Sequence, residues 1–264
     1  MCRLLAYCGA PIFLDRLLVE PEGSLISQSR AAREARTVVN GDGCGLGWYG
    51  EREEPGLYRA ILPVWSDGNL LSLCRQIRSG LFLAHVRAAT AGGISAQNCH
   101  PFAQGRYLFM HNGQIGDYAR HRRRVEAMIP DALYPARAGT SDSEAIFLAA
   151  FSEGLERDPV GALSRTLAAI CAPMGEGEEP LRFSAVLSDG ETVHAFRWAS
   201  DGHPPSLYCR EEGDGLLVAS EPCGLPSSEW TSIPSGSVLQ VRGRQGARLT
   251  RFELLASSPS ARAA

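Results

Sequence analysis

The second residue of the chain is a cysteine, in Met1-Cys2-Arg3-Leu4-Leu5. Aminopeptidases remove an initiator methionine when the next side chain is small. That step would leave a thiol and a free α-amine on one residue. An α-amine titrates near pKa ~7.7–8.0 and a thiol near ~8.5. Close to neutrality the amine can therefore take the thiol's proton and expose the thiolate, which is the nucleophile. No distant histidine is needed.

Four further segments carry matching chemistry. His85-Val86-Arg87-Ala88-Ala89-Thr90 offers the planar fork of Arg87 for a carboxylate, with the Thr90 hydroxyl beside it. Met110-His111-Asn112-Gly113 reads as a strand entering a tight turn. There the Asn112 side chain and the Gly113 backbone N–H can hold a developing oxyanion. Gly139-Thr140-Ser141-Asp142-Ser143-Glu144 puts Asp142 in the first turn of a helix, where it can act as a cap and bind an ammonium group. Asn98-Cys99-His100-Pro101-Phe102 sets polar residues before a proline-fixed turn, as support for the site, with His100 in that supporting role rather than as a base. A nucleophile, oxyanion donors, a cationic clamp and an anionic clamp together suit an α-amino acid bearing a side-chain amide. Arg87 would take its α-carboxylate and Asp142 its α-ammonium, leaving the γ-carbonyl to face Cys2, Asn112 and Gly113. Glutamine and γ-glutamyl amides have that form.

The elements that must position these groups follow from periodicity. Short apolar runs predict strands at 3–9, 46–49, 57–61, 81–87 and 107–111. Helical spacing predicts helices at 69–78, 117–128 and 159–171, and Ser24 to Arg36 reads as a helix or an irregular polar segment. The spacing Ser141-x-x-Glu144 matches a capping box ahead of an apolar helix reaching Leu155. Beyond the acidic loop 175–180 the pattern turns to short strands at 182–187, 193–198, 206–209, 216–220, 237–241 and 248–254. Strands at both ends and helices in the middle predict an α+β layered fold rather than a doubly wound parallel sheet. One domain is expected over 2–256, followed by a disordered small-residue tail at 257–264.

Composition narrows the function classes. The chain has 264 residues and a formal charge of −3, which gives no electrostatic case for nucleic acid or an acidic membrane surface. It contains no lysine, which excludes a Schiff-base lysine, a Walker lysine and a kinase-type ATP lysine. Eight cysteines include no C-x-x-C pair and read as reduced thiols of a cytoplasmic protein. No apolar run suits a membrane span or a signal peptide. His85, His100, His111 and Asp142 lack the short spacings of zinc motifs, so no metal and no cofactor is expected. Gly45-Leu46-Gly47-Trp48-Tyr49-Gly50 satisfies G-x-G-x-x-G, but the acidic stretch after it is a poor phosphate-binding helix, and glycines in strands account for it better.

As a set, Met-Cys at the start, HVRAAT, HNG and TSDSE resemble the class II glutamine amidotransferases of the N-terminal-nucleophile (Ntn) hydrolases. The resemblance spans about residues 2–155. It implies a four-layer αββα sandwich of two antiparallel sheets between helices. It also implies that Cys2 is nucleophile and base, that Asn112 and Gly113 form the oxyanion hole, and that Arg87, Thr90 and Asp142 hold the glutamyl head group. NGDGCGLGWY, AILPVWSDGNL and AHVRAATAGGISAQNCHPF look like the amidotransferase-like subunit of the eukaryotic glutathione-degradation complex, which works with a metallopeptidase-like partner. A looser likeness is to the γ-glutamyl hydrolases of ergothioneine biosynthesis. The favoured expectation is a hydrolase of γ-glutamyl amides. The alternatives are a glutaminase subunit feeding ammonia to a separate synthetase and a non-catalytic scaffold subunit.

Overall fold

Every strand near the predicted nucleophile is paired on both sides, because the strand that begins right after Cys2 lies inside a sheet. The computed structural model describes residues 2–34, 38–88, 93–175, 177–224, 227–243 and 246–256. The predicted tail 257–264 and Thr90 lie outside the described residues. In chain order the strands are β1 (Arg3–Phe13), β2 (Cys44–Trp48), β3 (Gly56–Ala60), β4 (Arg78–Val86), β5 (Phe102–Gln104), β6 (Tyr107–Gln114), β7 (Arg182–Ser188), β8 (Thr192–Ala199), β9 (Tyr208–Glu212), β10 (Gly215–Ala219), β11 (Thr231–Ser232), β12 (Ser237–Arg242) and β13 (Ala247–Arg251). The helices are α1 (Asp15–Leu18), α2 (Leu25–Arg30), α3 (Gly68–Gln76), α4 (Tyr118–Glu126), α5 (Asp142–Ala150) and α6 (Pro159–Cys171). Among the described residues none is long and apolar enough to cross a membrane.

Among the described residues the strands form two antiparallel sheets, ordered β11-β9-β10-β1-β4-β2-β3 and β13-β12-β8-β7-β6-β5. Side chains alternate across each strand, and each face buries its own core. Leu5, Tyr7, Phe82, Ala84 and Leu46 of the first sheet pack under α1, α2 and α3. Leu4, Ala6 and Leu83 pack across to Leu108, Met110 and Val186 of the second sheet. Phe109, Phe183 and Ala185 pack under α4, α5 and α6. Three interfaces require four layers, αββα, as the resemblance implies.

Local signals hold where they are strongest. Ser141 caps α5, its hydroxyl accepting from the Glu144 N–H at 3.3 Å. Pro159 occupies the first turn of α6, capped by Asp158. Ser24 caps the short α2. Several boundaries differ from expectation, two of them for visible reasons. β1 runs through Gly-Ala-Pro to Phe13, because a register shift between Cys8 and Ile12 lets Ile12 and Phe13 pair with Ser79 and Arg78. α5 stops at Ala150, passing into a 3₁₀ turn that ends on Gly154 at φ +85°.

Candidate active site

The gap between the sheets can be climbed two residues at a time. Ala6, Leu83 and Gly47 stand side by side in the first sheet, and a Cβ on Gly47 would sit 2.7 Å from Leu108 of the second. One step up are Leu4, His85 and Gly45, where a Cβ on Gly45 would come within 2.1 Å of the His100 carbonyl oxygen. The next step reaches Cys2, Arg87 and Gly43, where a Cβ on Gly43 would lie 2.6 Å from Cys99 Sγ. On the facing strand β6, Leu108 and Met110 share the inner core with Leu4 and Ala6. The next residue on that face is Asn112. Alternation thus delivers Cys2, Arg87 and Asn112 to the same end of the gap, on facing surfaces. Gly43, just ahead of β2, and Gly45 and Gly47 within it are left bare on the inner side, so that the segment 99–101 can lie against them.

At this end the Cys2 thiol is 3.4 Å from the Ala88 N–H nitrogen, which donates to it, and 3.5 Å from the Ala88 carbonyl, which it can reach as a donor. Burial pushes this thiol up, with the Ala88 N–H and the Arg87 charge opposing. At neutral pH it is therefore a thiol that needs a base. Two nearby histidines cannot supply one. His85 and His100 are both buried with ring centroids 4.3 Å apart. Burial, reinforced by Arg87, takes His85 down to about 3, and burial with His85 beside it takes His100 well below its usual value. Such imidazoles are too weakly basic to hold a thiol proton.

Arg87 follows β4 directly and is buried. Its backbone is fixed to the start of β2, donating to the Gly43 carbonyl at 2.8 Å and accepting from the Asp42 N–H at 3.0 Å. Its Nη1 donates to the Gly93 carbonyl at 3.4 Å. Asn112 is 2% exposed, and its Nδ2 has no hydrogen-bond partner. A buried donor of this kind is rare in a folded chain and often marks a functional position. The turn expected at Asn112-Gly113 is absent. β6 continues to Gln114, with Asn112 opposite Ser184 and Gly113 opposite Phe183. Glycine is needed at 113 for close approach, since a Cβ there would lie 1.9 Å from the Arg182 carbonyl.

Asp142 opens α5, and each of its oxygens takes one backbone N–H at 2.8 Å, Oδ2 from Ile115 and Oδ1 from Ser143. Ser143, which sequence reasoning passed over, ties Asp142 to His111. The His111 Nε2 lies 3.0 Å from the Arg182 carbonyl, which only accepts, so Nε2 carries the proton. Nδ1 is then the acceptor for the Ser143 hydroxyl at 2.9 Å. Burial lowers His111, while Asp142 pulls it back. Beside Asp142 opens a cleft of about 810 Å³, lined by Gly113, Ile115, Tyr118, Thr140, Asp142 and Glu179.

Residues 1–203 match the model of the class II glutamine amidotransferases. The chain belongs to that family. This class II chain is 32% identical over 92% of its length to the probable glutamine amidotransferase DUG3 of Saccharomyces cerevisiae, covering 82% of that protein. It is 30% identical to a gamma-glutamyl-hercynylcysteine sulfoxide hydrolase of Mycolicibacterium smegmatis, covering 92% of this chain and 96% of the other. Among solved structures it is similar to a glutamine aminotransferase class-II domain protein from Silicibacter pomeroyi, at 39% identity and a TM-score of 0.73, over 95% of this chain and 99% of the other. The glutamine phosphoribosylpyrophosphate amidotransferase of B. subtilis shares only the fold, at 14% identity and a TM-score of 0.68, over 97% of this chain and 50% of that one. The class II chain is thus an enzyme of the glutamine amidotransferase type on an Ntn-type αββα frame.

Sequence reasoning also missed Arg3, whose side chain points to the outer face of β1, away from Cys2. It is fully buried and pairs with Glu221 at 3.2 Å. The Glu221 carboxylate also accepts from the Arg33 and Glu34 N–H groups, so it pins the loop after α2 beside the start of β1. An arginine in an apolar strand run was the available signal, since a buried charge must find a partner.

Proposed function

We propose that this enzyme hydrolyses γ-glutamyl amide bonds through a thioester on Cys2, releasing glutamate, with residues 2–256 working as one unit. The observation that carries the reading is Asn112 Nδ2, an unpartnered buried donor on the face of β6 that continues from Leu108 and Met110 of the inner core. The relative named as a gamma-glutamyl-hercynylcysteine sulfoxide hydrolase favours γ-glutamyl substrates. Once Met1 is removed, the Cys2 α-amine takes the thiol proton, directly or through water. The thiolate attacks the γ-carbonyl carbon, and the carbonyl electron pair moves to oxygen, where Asn112 Nδ2 and the Gly113 N–H stabilise it. The adduct collapses, the C–N bond breaks, and the ammonium of Cys2 returns its proton to the leaving nitrogen. Water, deprotonated by the same amine, then attacks the thioester carbonyl, and the sulfur leaves with the proton. Arg87 and Thr90 hold the α-carboxylate, and Asp142 holds the α-ammonium through the lone pairs its backbone contacts leave over.

The test is a glutamate-release assay on glutamine, glutathione and other γ-glutamyl amides, together with the intact mass of the purified protein. The expected result is loss of Met1 and release of glutamate by the native chain but not by Cys2→Ala. A chain that keeps Met1 yet turns over at the full rate would sink the amine mechanism. Ammonia release that rises only when a synthetase partner is added would support a glutaminase subunit instead, and metallopeptidase-like partners belong in the same screen.

A further inference from the structure

The two clamps for the glutamyl head group come from different layers. Arg87 stands at the end of β4 in the first sheet, and Asp142 opens a helix that packs on the far side of the second. Their separation must match one amino-acid head group, so something must fix it. A 3₁₀ turn at Ala96–Asn98, capped by Ser95, crosses between them and ends on Asn98, which is 3% exposed. Asn98 Nδ2 donates at 3.1 Å to the Gly93 carbonyl, the same oxygen that receives Arg87 Nη1. Its second hydrogen goes to Thr140 Oγ1, also at 3.1 Å, and its Oδ1 accepts from the Thr140 N–H at 2.7 Å. Thr140 lies two residues before Asp142, just ahead of the capping Ser141. The reach is close, because a Cβ on Gly139 would lie 2.5 Å from Asn98 Oδ1. One carboxamide therefore holds the Arg87 anchor with one hydrogen and the approach to Asp142 with its other hydrogen and its oxygen.

We infer that Asn98 is a positioning residue that sets the spacing between the carboxylate clamp and the ammonium clamp. It touches no substrate. It lets one rigid head group reach both clamps at once, so that binding to the first makes binding to the second nearly unimolecular. This rests on the γ-glutamyl reading above and deepens it by naming what gives the enzyme its preference for an intact α-amino acid head.

The experiment measures calorimetric Kd values in a Cys2→Ala background, where turnover cannot interfere. L-glutamate carries both charges, glutarate lacks the ammonium, and 4-aminobutyrate lacks the α-carboxylate. Asn98→Ala should weaken L-glutamate about tenfold, the scale of one or two net hydrogen bonds. Its effect on glutarate and 4-aminobutyrate should stay within about twofold, because each uses a single clamp. Thr140→Val, which removes only the hydroxyl contact, should shift L-glutamate the same way by a smaller factor. In the active enzyme Asn98→Ala should raise KM about tenfold with kcat within about threefold. Equal loss for all three ligands would reduce Asn98 to a structural residue and overturn the inference. Unchanged L-glutamate affinity would overturn it too. If the Cys2→Ala parent binds none of the three ligands, the γ-glutamyl reading itself fails, and that outcome is separate from any effect at Asn98.

Discussion

Replacing Asn112 with alanine should separate activity from stability. In the resting protein Asn112 Nδ2 makes no hydrogen bond although the residue is 2% exposed. Deleting it removes an unsatisfied buried donor, a relief of about 1–3 kcal/mol. The lost packing opposes this, and the two offset to within about 1 kcal/mol. In the transition state the same atom would face the oxyanion, and losing one such donor costs about 2.7–4 kcal/mol, or about 10²–10³ in kcat. The assay pairs initial rates of glutamate release at saturating substrate with thermal unfolding of the same preparations. Asn112→Asp, which keeps the shape but places an anion where the oxyanion forms, should be slower still. A kcat within about threefold of the native value would refute the oxyanion assignment. A fall in stability above about 3 kcal/mol would show that the side chain was a structural donor instead.

Three other outcomes follow from described contacts. Burial keeps the Cys2 thiol protonated at neutral pH, so kcat/KM should fall as the pH drops below the α-amine value of about 7.7–8.0; a profile flat down to pH 6 would argue for another base. Glu221→Ala leaves the guanidinium of Arg3 buried without its partner, and denaturant unfolding should show a loss of about 3–5 kcal/mol; a loss below 1 kcal/mol would show that the pair adds little. Gly45→Ala drives a Cβ into the His100 backbone oxygen, and since backbone cannot rotate away, stability should drop by about 1–3 kcal/mol or more, read as a lower unfolding midpoint.

The parts of the site legible in sequence are those whose meaning is local. Cys2 speaks through its place in the chain, and Asp142 through a helix start fixed by Ser141 and Glu144, which the cap reproduces. Arg87 was expected at a strand end and stands one residue past it. Asn112-Gly113 drew attention through a turn that does not form, since β6 runs on to Gln114. The pair resembles a hairpin turn, and only the distant β7 shows that the glycine serves a close approach. The layered α+β order was readable from periodicity, whereas β5 and β11, at three and two residues, were too short to show a period. Glu144 illustrates the limit even where the motif is right. Its carboxylate does not turn back to Ser141 but accepts from the Ala138 and Gly139 N–H groups and pairs with Arg137. Contacts such as Arg3 with Glu221, 218 residues apart, have no local spacing to read.

β1 enters the first sheet as an interior strand, so the residue after Cys2 is gripped at once. Arg3 pairs with Val86, while the Leu4 N–H and carbonyl bind Ser220 on the other flank. A chain end normally frays, and in the proposed mechanism a frayed nucleophile would have to be ordered again in every catalytic cycle. Here that immobilisation is completed once, when the polypeptide folds. For anyone testing the proposed mechanism, an affinity tag ahead of Cys2 would occupy the place of the α-amine that it requires.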